Sequence, residues 1–307
     1  MSVIVVGSLN VDLVAEVARL PGRGETLLAD GQSRALGGKG ANQAVSAARH
    51  GVGVAMVGCV GADAEGRRLT DALAAEGIDT SGVRVRDDAA TGTAHITVDP
   101  EGANTIVVIP GANGRLSAAD VRRELGRLAA PDVVLVQLEI PLDAVMEAVA
   151  GTAARVVLNP APARPLPSEL LRHVDVLVPN VPELGALTGG DVPRTLDDIT
   201  ARARTLADGR AVVVTMGESG ALVVDGDRAT HVPAPRVDAV DTTGAGDAFC
   251  GSLAAGLARG RSLVDAARDA VQVASQSTLR RGALEALPAA AEIGTLPAAG
   301  QASANDP

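Results

Sequence analysis

The chain has 307 residues, 47% of them hydrophobic, with 37 acidic side chains against 27 lysines and arginines and a net charge of −10. That length and apolar content allow one large buried core, while the charge argues against nucleic acid or an anionic membrane surface as partner. With no Trp, no Tyr and a single Phe249, the core must be built from Ala, Val, Leu and Ile, and no site can sandwich a base between aromatic faces.

Residues 1–15 carry no basic run ahead of an apolar one, and no stretch approaches the 18 apolar residues of a membrane span, so a cytoplasmic chain is expected. Val3–Val6 reads as the first strand. A glycine turn, Leu36 to Gln43, leads into a helix over Ala44–Arg49, followed by a strand at Ala55–Cys59 and a helix at Ala64–Glu76. Thr93–Val98 and Thr105–Ile109 alternate and flank Asp99-Pro100-Glu101-Gly102, a turn with proline at its second position. Together with segment 12–35, segment 91–110 predicts a small antiparallel sheet, too small to stand alone. It should cover a cleft as a lid and bury its other face on a second copy, giving a homodimer. Helical patterns then run over Ala118–Leu128, Leu142–Ala150, Leu196–Ala207, Ala248–Ala258 and Leu263–Ser277, alternating with β-branched runs at Val133–Val136, Arg155–Leu158, Val174–Val178 and Ala211–Val214. This succession predicts a doubly wound α/β fold over 1–297, with a mainly parallel sheet flanked by helices. The tail from 298 to 307 is expected to be disordered. Cys59 and Cys250 form no C-x-x-C pair and read as buried free thiols.

Polar residues recur just past the carboxyl ends of the strands: Asn10 and Asp12, Glu139, Asn159, Asn180 and Glu183, then Thr215 and Gly217. Open α/β sheets bind ligands along that edge, and five such places on one edge favour a cleft over ordinary loops.

Two glycine turns carry the chemistry. Asp241-Thr242-Thr243-Gly244-Ala245-Gly246-Asp247 opens a helix with small residues, leaving convergent N–H groups that suit an anion. Asp247 is a carboxylate inside that turn, where it has a use if it takes a proton from a hydroxyl attacking a phosphate. An ordinary capped helix start would also accommodate it. Gly37-Gly38-Lys39-Gly40-Ala41-Asn42-Gln43 is the second turn. Neither is a P-loop, since Gly40 follows Lys39, and neither is a dinucleotide fingerprint, since Gln43 and Phe249 stand where a third glycine is needed.

Gly37–Gln43 and Asp241–Phe249 resemble the two signature regions of the ribokinase-like (PfkB) sugar kinases, about 200 residues apart and in the right order. The resemblance extends from Gly7–Asp12 to Arg281-Gly282-Ala283. Gln137-Leu138-Glu139, Asn159–Ala163 and Pro179-Asn180-x-x-Glu183 are most similar to the ribose-phosphorylating members. It implies transfer of the ATP γ-phosphoryl group to the 5-hydroxyl of D-ribose. In that scheme Asp247 is the general base and Gly244, Ala245 and Gly246 form the anion hole. Asp12, Gly38, Lys39, Asn42 and Glu139 are implied around the sugar. Asn180, Thr215, Gly217, Ser219, Gly220 and Gly246 are implied along ATP, with Glu183 near Mg²⁺ through water. A K⁺ ion is implied beside the anion turn, held mainly by carbonyls at Asp241, Thr243, Ser277, Arg280 and Gly282. Where this family places a serine near that ion the chain has Ala286, and Val271 stands near the adenine where a polar side chain is common. Other small acceptors (2-deoxyribose, a ketohexose, a nucleoside) remain open. A sugar-binding protein without activity is disfavoured by the presence of Asp247.

Overall fold

The computed structural model describes residues 1–293, so the tail expected to be disordered lies outside the described residues. Strand β1 (Ser2–Val6) leads directly into β2 (Asn10–Glu16) and β3 (Gly31–Gly37), and α1 (Lys39–Arg49) follows. Then come β4 (Gly53–Gly61), α2 (Ala64–Ala75), β5 (Asp79–Arg86), β6 (Gly92–Val98), β7 (Asn104–Ile109), α3 (Ala118–Arg127), β8 (Val133–Val136), α4 (Leu142–Ala150) and β9 (Arg155–Leu158). The remainder is α5 (Ser168–Leu171), β10 (Val176–Leu177), α6 (Val181–Thr188), α7 (Leu196–Leu206), β11 (Ala211–Thr215), β12 (Ala221–Asp225), β13 (Arg228–Val232), α8 (Ala245–Ala258) and α9 (Leu263–Ser277).

Nine strands form the large sheet in the order β13-β12-β11-β10-β9-β8-β1-β4-β5. From β5 to β11 every neighbouring pair is parallel, and the only antiparallel pairs are β11–β12 and β12–β13 at one edge, where β12 alone is reversed. The period-2 geometry of β1 shows how the layers are made. Val3 and Val5 enter one apolar cluster with Ala44 and Val45 of α1, Leu253 of α8 and Ala270 of α9. Ile4 and Val6 enter the cluster on the opposite face with Val121 of α3, Val145 of α4 and Ala203 of α7. Alanine-rich helices lie close to valine-rich strands, and Phe249 (2% exposed) is the one aromatic in this core. Both thiols are free and buried.

The chain leaves the large sheet after β1 and builds the second sheet, in the order β3-β2-β6-β7. Its two hairpins, β2–β3 and β6–β7, are antiparallel as expected, and they join through a parallel β2–β6 pair. The parallel junction follows from topology. β2 and β6 each leave the large sheet at the same edge, β2 after β1 and β6 after β5, so they set out in the same direction.

Three departures from the sequence reading have local causes. Helices α1 and α8 start at Lys39 and Ala245, ahead of the expected Ala44 and Ala248, because Gly40 and Gly246 are helical here and not part of the breaking turn. Strands β5 and β13 have polar, largely exposed edge sequences (DTSGVRVR and RATHV) whose alternation is weak. Helix α6 contains Pro182 and Gly185, which hide its period.

Candidate active site

Both glycine turns lie at the carboxyl edge of the large sheet, where β1 separates β8 from β4 and the strand order turns back on itself. Gly38 (φ 91°) and Gly244 (φ 76°) are the N-caps of α1 and α8, and neither end has a side-chain cap. At α1 the first N–H groups are already used, Lys39 on Glu139 Oε2, Gly40 on Ser8 Oγ and Ala41 on the Ser8 carbonyl, so it is the start of α8 that offers N–H groups to a ligand. The Ala245 N–H already donates to the Thr242 carbonyl at 3.2 Å, so within this turn Gly244 and Gly246 are less engaged.

Asp247 occupies the first turn of α8 and is only 7% exposed. Its Oδ2 accepts from Asn42 Nδ2 at 3.0 Å and its Oδ1 from Gln43 Nε2 at 2.9 Å. Residues more than 200 positions apart therefore meet through two buried amide–carboxylate bonds. Asn42 Oδ1 is buried with no protein partner, an acceptor left over for a hydroxyl. Lys39 faces the same space. The Asp247 charge foremost, and Glu139 and Glu183 with it, raise the ammonium pKa against the opposing effect of burial.

Beyond Asp247 the acidic residues continue. Glu139 Oε2 accepts from Ser8 Oγ at 2.5 Å and from the Lys39 N–H at 3.4 Å. Asp12 is pushed up to about 7, first by burial and then by the charges of Glu139, Glu285 and Asp247, with Lys39 opposing. A carboxyl in that state can both donate and accept a hydrogen bond near neutrality, which suits a polyol.

On the other side of Asp247 is a cavity of about 190 Å³, lined by Lys39, Asn159, Asn180, Glu183, Thr215, Gly244, Gly246, Asp247 and Cys250, among others. Asn180 and Glu183 form a capping box at the start of α6: Asn180 Oδ1 accepts from the Glu183 N–H at 2.7 Å and Glu183 Oε2 from the Asn180 N–H at 2.8 Å. Burial raises the Glu183 pKa, while the Asn180 N–H and Lys39 act the other way. Thr215 ends β11, and Gly217–Ser219 make a short 3₁₀ turn before Gly220 (φ 89°) enters β12. Of this loop only Thr215 lines the cavity; Gly217, Ser219 and Gly220 lie outside its wall.

The turn before α8 is joined to the segment after α9. Asp241 Oδ1 accepts from the Thr243 N–H and Oδ2 from the Gly282 N–H, both at 2.9 Å. Burial works against this carboxylate, but those bonds outweigh it and hold its pKa below the ordinary value. The Val240 N–H and Asp241 N–H donate to the Thr278 carbonyl. Ser277 Oγ turns back to the Ala274 carbonyl, and Arg280 pairs with Glu292, so neither side chain is directed at Asp241. Ala286 is 1% exposed and Val271 4% exposed, both in the core.

Sequence reasoning set Asn159 at the cleft edge but gave Gln43, Gln137 and Asn113 no role in the support beneath these groups. Gln43, Gln137 and Asn159 form one buried amide chain behind Asp247. Asn113, also buried, holds the Leu9 N–H and carbonyl and Asn10 Oδ1 where the second sheet begins. The available signal was a glutamine on the apolar face of a helix, between Ala41 and Ala44–Val45, and another directly after a strand of four apolar residues.

A model of the pfkB family of carbohydrate kinases matches residues 1–290. The chain belongs to that family. It is 38% identical to a ribokinase of Haemophilus influenzae, over 92% of this chain and 94% of that one. It is 40% identical to a deoxyribokinase of Salmonella typhi, over 94% and 96%. Among solved structures, a Thermotoga maritima ribokinase superposes with a TM-score of 0.87 at 33% identity, covering 95% of this chain and 97% of that one. An Arabidopsis thaliana ribokinase complexed with ribose and ATP gives 0.84 at 30% identity, covering 95% and 96%. The family resemblance and the α/β fold expected from sequence both stand, and the pfkB chain is a sugar kinase. Among the described residues no helix is long and apolar enough to cross a membrane.

Proposed function

We propose that this pfkB kinase transfers the γ-phosphoryl group of ATP to the 5-hydroxyl of D-ribose, with Asp247 as general base. The observation that carries this reading is the meeting of Asp247, Lys39 and Asn42 between the acidic sugar side and the cavity at the glycine turn of α8. The sugar lies among Asp12, Gly38, Lys39, Asn42 and Glu139, and the unpartnered Asn42 Oδ1 accepts from one of its hydroxyls. Asp247 takes the proton as the 5-oxygen bonds to the γ-phosphorus and the bond to the bridging oxygen of ADP breaks. The Gly244 and Gly246 amides, and that of Ala245 once released from Thr242, take the phosphoryl oxygens. ATP extends past Gly246, Asn180 and Thr215 toward Gly217, Ser219 and Gly220.

Mg²⁺ bound with the nucleotide would neutralise phosphate charge. Among the described residues no three His, Cys, Asp or Glu side chains cluster as a metal cage. Glu183, at the cavity wall, would order water around an ion that arrives with the nucleotide. A K⁺ ion beside the turn would be held by carbonyls of Asp241, Thr243, Ser277, Arg280 and Gly282, since the Asp241 side chain is already engaged by two N–H groups. Equal rates with K⁺ and with a large organic cation would dismiss it.

The second sheet acts as lid and dimer interface within a single kinase domain. Ile106, Val107, Val108 and Ile109 on β7 are 42–63% exposed, an apolar edge strand that favours a partner. Light scattering at twice the 30.7 kDa chain mass is expected. A cytoplasmic setting suits ATP as co-substrate and two free buried thiols.

The similarity to a deoxyribokinase at 40% identity favours 2-deoxyribose as a second reading. Asp12, Lys39 and Asn42 favour ribose, because polar groups facing the diol would be left unpaired by the deoxy sugar. An ADP-release assay over ribose, 2-deoxyribose, fructose and adenosine decides. Ribose is expected to lead 2-deoxyribose by about 10²-fold in kcat/KM. A win for fructose or adenosine would overturn the ribose assignment and leave the kinase intact.

A further inference from the structure

Behind Asp247 lies a set of amides, Gln43, Gln137 and Asn159, of which only Asn159 reaches the wall of the cavity. Gln43 is fully buried. Its Nε2 donates to Asp247 Oδ1 at 2.9 Å and to Asn159 Oδ1 at 3.2 Å, and its Oε1 accepts from Gln137 Nε2 at 2.7 Å. Every hydrogen of the Gln43 amide is therefore assigned. Asn159 Nδ2 in turn donates to the Val178 carbonyl at 3.0 Å.

The orientation of these amides follows from two acceptors that cannot donate. The Val178 carbonyl requires the nitrogen of Asn159, which leaves Asn159 Oδ1 facing Gln43 and requires the nitrogen of Gln43 there. An ionised Asp247 imposes the same choice on Gln43 from the opposite side. Gln43 Oε1 then faces Gln137 and requires its nitrogen. Space fixes the far end as well: a Cβ on Gly7 would lie 1.8 Å from Gln137 Oε1, so Gln137 fills the room left by that glycine. The four side chains come from α1, α8 and the ends of β8 and β9, so the set joins two helices to the sheet edge.

We infer that Gln43, held by Gln137 and Asn159, is a positioning residue that fixes the Asp247 carboxylate for proton transfer. The inference rests on Asp247 being the base. Asn42 bonds the other oxygen of Asp247 and is available to the sugar, so its grip can change as substrate enters. Gln43 has no spare hydrogen and keeps Oδ1 in place throughout. A carboxylate fixed at one oxygen retains a defined lone-pair direction toward the attacking hydroxyl, and a small misplacement of a catalytic group is expensive in rate.

The test is a mutant cycle in the full chain with ribose and ATP. Gln43→Met keeps volume and removes the donor. Its kcat is expected to fall roughly 10- to 100-fold, the range for losing a hydrogen bond to a charged group, while both KM values stay within about threefold. In an Asp247→Asn background the same change should lower kcat no further, since its effect acts through that carboxylate. Gln137→Met, which leaves the Gln43 donor present but unbraced, should lower kcat roughly 3- to 10-fold with unchanged KM, and serves if Gln43→Met does not fold. If Asp247→Asn is inactive while Gln43→Met, or in its place Gln137→Met, keeps kcat within about twofold, the inference is overturned and the base assignment stands. Additive losses in the cycle, or a loss confined to KM, overturn it too. An active Asp247→Asn would bring down the base assignment and this inference with it.

Discussion

The turns that open α1 and α8 look alike in sequence, Gly38-Lys39-Gly40 and Gly244-Ala245-Gly246, yet their second glycines answer different demands. A Cβ on Gly40 would lie 2.6 Å from the Ser8 carbonyl oxygen and 2.7 Å from Met56 Cε, so the residue is glycine because the end of β1 and strand β4 press on it. A Cβ on Gly246 would meet nothing within 4 Å; it would project into open space at the wall of the cavity. One glycine is needed for packing. The other keeps a space free that the protein itself does not fill, and a bound phosphate is what the proposed function puts there. The α1 turn supplies the Asn42 and Gln43 donors that hold Asp247 of the α8 turn, with the Lys39 charge facing it.

The largest effect should come from removing that carboxylate. Asp247→Asn is expected to lower kcat by roughly 10³ or more with sugar binding little changed, because a base acts mainly in the transition state. Retention of a tenth of wild-type turnover would show that the α8 turn carries no base.

The two glycines sharpen the comparison further. Gly246→Ala should lower kcat/KM for ATP by about tenfold or more, since the methyl occupies the phosphate space. Its Tm should hold or rise by about 2 °C, because alanine suits a helix better than glycine. Gly40→Ala should do the reverse, lowering Tm by roughly 3–8 °C through overpacking against Ser8. Thermal melts beside kinetics decide it, and two variants with the same profile would erase the distinction between the turns.

That distinction was not legible in the sequence. Both turns are legible as backbone-exposing helix starts, because glycine before an apolar helix is a local pattern. What presses on a glycine is a tertiary fact: Gly40 meets Ser8 and Met56, which are distant in sequence, and no spacing rule reports it. The same limit explains the rest. The alternation of β1, β4, β8 and β9 with α2, α3 and α4 was readable because buried parallel strands are continuous apolar runs. Polar edge strands such as β13 have no such run. Asp247, Asn42 and Lys39 could be named from their motifs, whereas Gln43 and Gln137 carry no local mark of the bonds they make. The Asn180–Glu183 spacing had been read for phosphate and metal, and the structure shows that it also caps α6, so those two side chains are already partly engaged.

On the sugar side, Glu139→Ala should raise KM for ribose by about tenfold and leave KM for ATP within about twofold. Glu139 is bound to Ser8 and to the Lys39 N–H, away from the cavity wall. Its loss removes a charged acceptor for the sugar, worth a factor of that order. A comparable rise for ATP would place Glu139 at the nucleotide and remove the division between the two sides of Asp247.

The smallest effect is a pH dependence carried by Asp12 on the sugar side. Asp12 is raised from 3.8 to about 7 by burial and by the charges of Glu139, Glu285 and Asp247. The folded chain therefore binds this proton more tightly than the unfolded chain. The stability linked to it is fully present below pH 4, declines as the pH rises toward 7, and is lost above that. Asp12→Asn keeps the shape and removes the titration. In the sugar-free protein it should match wild type near pH 4 and exceed it in Tm by about 2–4 °C at pH 8, a gap that opens between those values. Bound ribose should narrow the gap, because its hydroxyls satisfy the ionised carboxylate that stands uncompensated without it. A Tm difference independent of pH would mean that Asp12 stays ionised throughout, and that the acidic cluster facing α1 lowers no group's affinity for charge.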